Sequence, residues 1–173
     1  EIVSPGLASI TPPPFPRVVK TIPIYESLYT LQGEGFHQGK ATFLIRTFGC
    51  PIKCSWCDIP QAWHPHPPTP SHKIKHISPR QLLEKAQKTA CEFVLITGGE
   101  PTIHDLSELT LILNNNGSHV HLETSGAFEI KGTFSWITVS PKWGKMPLEK
   151  NLKKADEIKL IIENENSIEC WMD

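Results

Sequence analysis

Three of the chain's five cysteines fall within eight positions, Cys50, Cys54 and Cys57, in the stretch "GCPIKCSWCDIPQAW". Three thiolates on one short loop are soft ligands for zinc or for an iron-sulfur cluster. A structural zinc site closes with a fourth ligand, which His64 or His66 could supply. A cubane cluster held by three thiolates instead leaves one iron open to a ligand from outside the protein. Both readings stand on the cysteines alone. Their odd number and crowding argue against a disulfide framework and for reduced thiols. Cys91 and Cys170 read as plain thiols without a function.

The second group able to do chemistry is "TGGEP", residues 97 to 101, where Gly98 and Gly99 give the backbone room to approach a ligand. Further along stand "ETSG" (123 to 126) and "VSPK" (139 to 142), and before the cysteines "LQGEG" (31 to 35) and Arg46. A fixed guanidinium such as Arg46 suits an anionic carboxylate, which it can grip with two parallel hydrogen bonds. Glu34 and Glu123 could polarise a substrate or cap backbone amides, so no general acid or base is assigned.

Those groups need elements to position them. The runs 21–30 and 41–49 read as strands joined by a glycine-rich connection, and 93–99, 119–124, 136–140 and 155–162 as further strands. Ser78 followed by Pro79 and Gln81 has the pattern of a capping box, opening a helix that should run to about Ala90. Asp105 with Glu108 opens a second helix, ended by "NNNG" at 114 to 117. Strands alternating with helices predict a parallel sheet with helical crossovers, whose ligands gather at the carboxyl ends of the strands. The cysteines, the paired glycines, Glu123 and "SPK" all fall at such ends.

The remaining segments carry less. Residues 1–20 hold five prolines without any period and read as an arm lying on a single domain, residues 21–173. The stretch 63–78, with four prolines and four histidines, reads as a surface loop without a ligand role. A net charge of −1 and no basic run interleaved with aromatics give no nucleic-acid signature. The longest apolar runs fall far short of the roughly 20 residues a membrane span needs. With no signal-peptide layout, the expectation is a cytoplasmic protein.

The cysteine spacing, with Trp56 before the last cysteine and "GGEP" later in the chain, resembles the radical S-adenosylmethionine superfamily. More narrowly, Glu26, "LQGEG", Arg46, "CDI" at 57 to 59, "TGGEP", "ETSG" and "VSPK" together resemble the 7-carboxy-7-deazaguanine synthase family, over about residues 22 to 162. The resemblance implies a reduced, partial (β/α) barrel. It also implies a 4Fe-4S cluster on Cys50, Cys54 and Cys57 and S-adenosylmethionine against Trp56, Cys57, Asp58, Gly99, Ser140, Pro141 and Lys142. Leu31, Gln32, Gly33, Arg46 and Thr97 would bind a pterin substrate.

The implied reaction turns 6-carboxy-5,6,7,8-tetrahydropterin into 7-carboxy-7-deazaguanine and ammonia, a step towards queuosine and tRNA modification. It is fed by a reductant such as flavodoxin or ferredoxin, in a homodimer. Trp56 reads equally well as a core aromatic. Two rivals are a glycyl-radical activase, which "LQGEG" and Arg46 disfavour, and a zinc-binding module without catalysis. The family's Mg²⁺-ligating Thr is Ile59 here, which has no oxygen to offer a hard cation. Magnesium is therefore unused here, or its ligands are rearranged around Asp58, the substrate carboxylate and water. Against the family pattern, the domain 21–173 is expected to lack the last strand and helix, since the sequence stops at Asp173.

Overall fold

The computed structural model describes residues 20–64 and 74–172. The expected arm at residues 1–19, most of the Pro/His stretch and His66 lie outside the described residues. Seven strands form one open mixed sheet: β1 (Ile22–Leu31), β2 (Ala41–Thr47), β3 (Lys75–Ile77), β4 (Phe93–Gly98), β5 (His119–Thr124), β6 (Trp136–Val139) and β7 (Glu157–Ile158). Their order is β3-β1-β2-β4-β5-β6-β7. β1 runs antiparallel to both neighbours, and β2 through β7 are parallel. This is the partial (β/α) barrel that the resemblance implies, with one antiparallel strand, β1, next to the β3 edge.

Two helices cover one face. α1 (Pro79–Gln87) begins as read: the Ser78 hydroxyl accepts from the Gln81 amide and the Gln81 side chain accepts from the Ser78 amide. It ends at Gln87 rather than near Ala90; Ala90 itself sits at φ 53° in the left-handed region, which a helix cannot continue through. α2 (Ser107–Asn115) has Leu106, not Asp105, at its cap position, while Asp105 Oδ1 accepts from the Ser107 amide one step further in. Leu82 and Ala86 of α1 and Leu109 and Leu113 of α2 pack on Ile45, Val94, Ile96, Val120, Leu122 and Val139 of the strands. Each fully buried leucine contributes about 1.5–3 kcal/mol.

Two strands differ from expectation. β3 lies within the stretch read as loop; its three residues gain structure only by pairing with the edge of β1, Ile22 opposite Ile77. β7 keeps two residues of the eight expected. Its partner β6 stops at Val139, so the ladder ends where the Lys159 amide donates to the Val139 carbonyl. Between β6 and β7 stands only a four-residue helix, α3 (Glu149–Leu152); α4 (Asn166–Met172) follows β7.

The other face of the sheet is polar near the strand ends. Glu26 pairs with Arg46, Arg46 with Thr97, Glu123 with Thr138, and Thr138 with Glu157, so these side chains form a row across the inner face. The β1–β2 connection, residues 32–38, is a strap that crosses this face as far as β7. Its base is closed by the Gln32 amide on the Lys40 carbonyl and the Gly39 amide on the Gln32 carbonyl. Its far end lies on β6 and β7, where the Phe36 ring stacks on Trp136 with centroids 5.2 Å apart.

Candidate active site at the carboxyl ends of the strands

The cysteine loop leaves β2 at Thr47 and is closed as a unit when the Gly49 amide donates to the carbonyl of the fully buried Ala62 at 2.7 Å. Within it the Cys57 amide donates to the Cys54 carbonyl, and Lys53 takes φ 55°. A positive φ is uncommon outside glycine and marks a tightly turned backbone. Cys50, Cys54 and Cys57 are free and partly buried.

"GGEP" is what seats this loop. The Gly99 amide donates to the Thr47 carbonyl and the Glu100 amide to the Gly49 carbonyl at 2.8 Å. A Cβ on Gly99 would overlap the Gly49 carbonyl oxygen and lie 3.1 Å from Cys50 Cβ; one on Gly98, at φ +144°, would overlap the Thr47 backbone. The glycines thus admit the chain's own cysteine loop. Glu100, 1% exposed, completes the clamp. Its Oε1 accepts from the Thr102 amide (3.1 Å) and the hydroxyls of Thr102 (2.6 Å) and Thr124 (2.5 Å), and its Oε2 from the Ser125 amide (2.9 Å) and hydroxyl (2.5 Å). "GGEP" and "ETSG" are locked together through one carboxylate.

The residues assigned to S-adenosylmethionine converge beside the cysteines. Trp56 is 38% exposed and therefore not core. Lys142 Nζ lies 5.1 Å from its ring centroid and donates to the Ser140 hydroxyl at 2.6 Å. Ser140 and Pro141 are buried and the Ser140 amide donates to the Thr124 carbonyl; Asp58 is exposed. Burial pushes the Cys54 thiol up, opposed by the Lys142 ammonium. Burial also pulls Lys142 down, against the pull of Cys54, Glu100 and Asp58.

A second cluster forms on the inner face. Gln32 Nε2 donates to Glu123 Oε1 at 2.9 Å and the Thr97 hydroxyl to Glu123 Oε2 at 3.2 Å, while Gln32 Oε1 accepts from the Gly33 amide. Arg46 shares the row with Thr97 and donates through Nε to Glu26 at 2.6 Å, which fixes the guanidinium at the sheet face. Leu31 is not drawn in: its side chain is 60% exposed at the foot of the strap.

Two residues the sequence reading passed over belong here, Glu157 and Lys159, and a third, Glu100, was seen only as part of "GGEP" without a role. Lys159 Nζ lies 2.7 Å from Glu34 Oε1. Burial alone would lower this ammonium, but Glu123, Glu34 and Asp58 together hold it above its usual range. The "DEIK" run, 156 to 159, was legible only as part of a strand, since its polar partners lie far away in sequence.

The donor set suits an iron-sulfur cluster: three soft, free thiols on a backbone-clamped loop, with Cys54 in electrostatic reach of Cys50 and Cys57. Among the described residues no group of three or more His, Cys, Asp and Glu side chains is gathered tightly enough for a single ion. His64 is exposed and follows the cysteine loop.

Comparison with known proteins agrees with this geometry. Residues 44–131 match the Radical SAM superfamily. The chain is 42% identical over 147 residues to the 7-carboxy-7-deazaguanine synthase of a Synechocystis species, covering 85% of this chain and 68% of the relative. It is 38% identical over 162 residues to the synthase of Escherichia coli strain K12, covering 79% and 70%. The crystal structure of QueE from Escherichia coli superposes with a TM-score of 0.78 at 36% identity, over 88% of this chain and 75% of that one. The chain thus spans about two thirds of the length of the curated relatives it matches. Membership of the superfamily implies a 4Fe-4S cluster and S-adenosylmethionine. Together, the clamped three-cysteine loop, the shared fold and the extent of these matches show that the chain belongs to the 7-carboxy-7-deazaguanine synthase family of radical S-adenosylmethionine lyases.

Proposed function

We propose that the protein converts 6-carboxy-5,6,7,8-tetrahydropterin to 7-carboxy-7-deazaguanine with loss of ammonia. The observation that carries this reading is the juxtaposition on the inner face: Gln32 from the strap and Thr97 from β4 meet on Glu123 of β5, with Arg46 in the same row. Amide, hydroxyl and carboxylate groups read the edge of a pterin, and the guanidinium meets its carboxylate.

Cys50, Cys54 and Cys57 would hold the cluster, with Trp56, Asp58, Gly99, Ser140, Pro141 and Lys142 around S-adenosylmethionine. When bound, these cofactors supply a radical that takes a hydrogen from the substrate and returns it. The chain's own part is orientation and exclusion of water. Glu26 keeps Arg46 from turning away from the carboxylate. Glu123, with an oxygen on each of Gln32 and Thr97, keeps both side chains in place, and the strap covers the face.

Magnesium belongs to the same reading in a weakened form. Ile59 begins a short helical turn and brings no oxygen, leaving Asp58, the substrate carboxylate and water as hard ligands. The reading also includes a cytoplasmic homodimer with a proline-rich arm (1–20) and a catalytic domain (21–173), reduced by flavodoxin or ferredoxin and supplying queuosine synthesis for tRNA modification. No helix among the described residues is long and apolar enough to cross a membrane.

The test is anaerobic incubation of reconstituted protein with the carboxypterin, S-adenosylmethionine and a low-potential reductant. Deazaguanine product and ammonia in equal amounts are expected. Reductive cleavage of S-adenosylmethionine with no deazaguanine formed would overturn the substrate assignment.

A further inference from the structure

We infer that Glu157 and Lys159 are positioning residues for the substrate: together they clasp the 32–38 strap onto the inner face and so set where Gln32 and Gly33 stand. The inference rests on the functional reading above for its substrate, but the clasp itself is a property of the protein alone.

Glu157 is a carboxylate with two sides. Its Oε2 is fixed by β6, accepting from Trp136 Nε1 at 3.3 Å and the Thr138 hydroxyl at 3.1 Å, and its Oε1 accepts from the Phe36 amide at 3.2 Å. Glycine at residue 35 favours this close approach. It sits at φ +75°, and a Cβ there would lie 2.6 Å from Glu157 Oε1. The last glycine of "LQGEG" is thereby explained by a residue more than a hundred positions away.

Lys159 stands two residues on, on the same side of the extended chain, and its ammonium holds the strap's Glu34 at 2.7 Å. The strap is hinged at 32 and 39–40 by backbone hydrogen bonds and fastened at 34–36 by this pair of side chains. Gln32, the hinge residue whose side chain touches Glu123, stands two residues from the fastening and is placed by both. Lys159 has a second effect. It offsets the charges of Glu34 and Glu123 on a face that receives an anionic substrate.

Hydrogen exchange on the reconstituted holoenzyme without substrate reads the clasp directly. In Lys159→Met and in Glu34→Gln, amides 36–40 are expected to exchange about two- to fivefold faster than in wild type, the scale set by one partly exposed charge pair. The double variant is expected to be no faster than either single, and Lys159→Arg to restore protection. KM for the carboxypterin should rise about tenfold with kcat within about twofold, the signature of lost binding rather than lost chemistry. Glu157→Gln should open the same amides; should it fail to fold, Glu34→Gln decides, since Glu34 lies on the exposed strap. Unchanged exchange in Lys159→Met and Glu34→Gln, additive effects in the double variant, or a fall in kcat at constant KM would each overturn the inference. Wild-type protein that makes no deazaguanine refutes the substrate reading instead, and the exchange result still decides the clasp.

Discussion

Replacing Glu100 by glutamine changes one oxygen to an amide nitrogen and almost no volume, so its effect isolates hydrogen bonding. The carboxylate accepts five bonds, two from backbone amides and three from hydroxyls. Hydroxyls can turn to accept from an NH₂ group; backbone amides cannot. Whichever way the glutamine lies, its NH₂ faces either the Thr102 or the Ser125 amide, leaving a buried donor without a partner. That costs about 1–3 kcal/mol, and the remaining bonds lose their charge assistance, about 1 kcal/mol more. A total near 3 kcal/mol should lower the thermal midpoint by about 6–12 °C for a chain of this size. Urea unfolding of the reduced apoprotein, followed by tryptophan fluorescence and far-UV circular dichroism, measures it. Because the Gly99 and Glu100 amides hold the cysteine loop, iron and sulfide content after reconstitution should fall in parallel. A Glu100→Gln protein within about 1 kcal/mol of wild type, no more than the smallest cost of a stranded buried donor even before the lost charge assistance, would refute the clamp.

Gly99→Ala should fold yet take up little iron or sulfide, since its Cβ pushes the Gly49 carbonyl and Cys50 out of place; metal analysis and the visible absorption of the cluster report this. Asn151 is fully buried and its Nδ2 donates to the carbonyls of Gly126 and Phe128, so Asn151→Ala should cost about 2–4 kcal/mol in urea unfolding, with the loop after "ETSG" loosened. His121, 7% exposed, is lowered to about 4 by burial, with His37 and Lys40 adding to it. The unfolded chain, titrating near 6.5, then binds more protons between these values, so about 3 kcal/mol of stability present above pH 6.5 is lost as pH falls to about 4. Unfolding midpoints measured across that range should slope accordingly, and His121→Phe should flatten the slope.

Local chemistry was legible in the sequence where partners are neighbours. The Ser78 capping box needs only Gln81, three residues on, and the cysteine loop declares itself by spacing. The strand ends carrying the cysteines, Gly98 and Gly99, Glu123 and "SPK" followed from topology. What stayed hidden depends on distant partners. Glu157 reads as one of two neighbouring acids at the head of a strand until the fold brings Gly35 and Phe36 against it. That Gly98 and Gly99 also make room for Thr47 and Gly49 was hidden, because nothing in the sequence says that these residues lie there. β7 was overestimated because apolar residues describe what could pair, and the four residues of β6 limit what does.

The interlock of Gly99 with Gly49 also orders events in time. Its two sides lie just after β2 and β4, separated by some fifty residues that include the whole cysteine loop and α1, so the seat for the thiols does not exist until those strands have paired. Non-local parallel pairing of this kind is slow to form. A nascent chain therefore presents Cys50, Cys54 and Cys57 as three unconstrained thiols, open to oxidation or to the wrong metal, until β4 docks. Iron and sulfide delivered after that step meet a preformed cradle, and delivered before it they meet a flexible peptide.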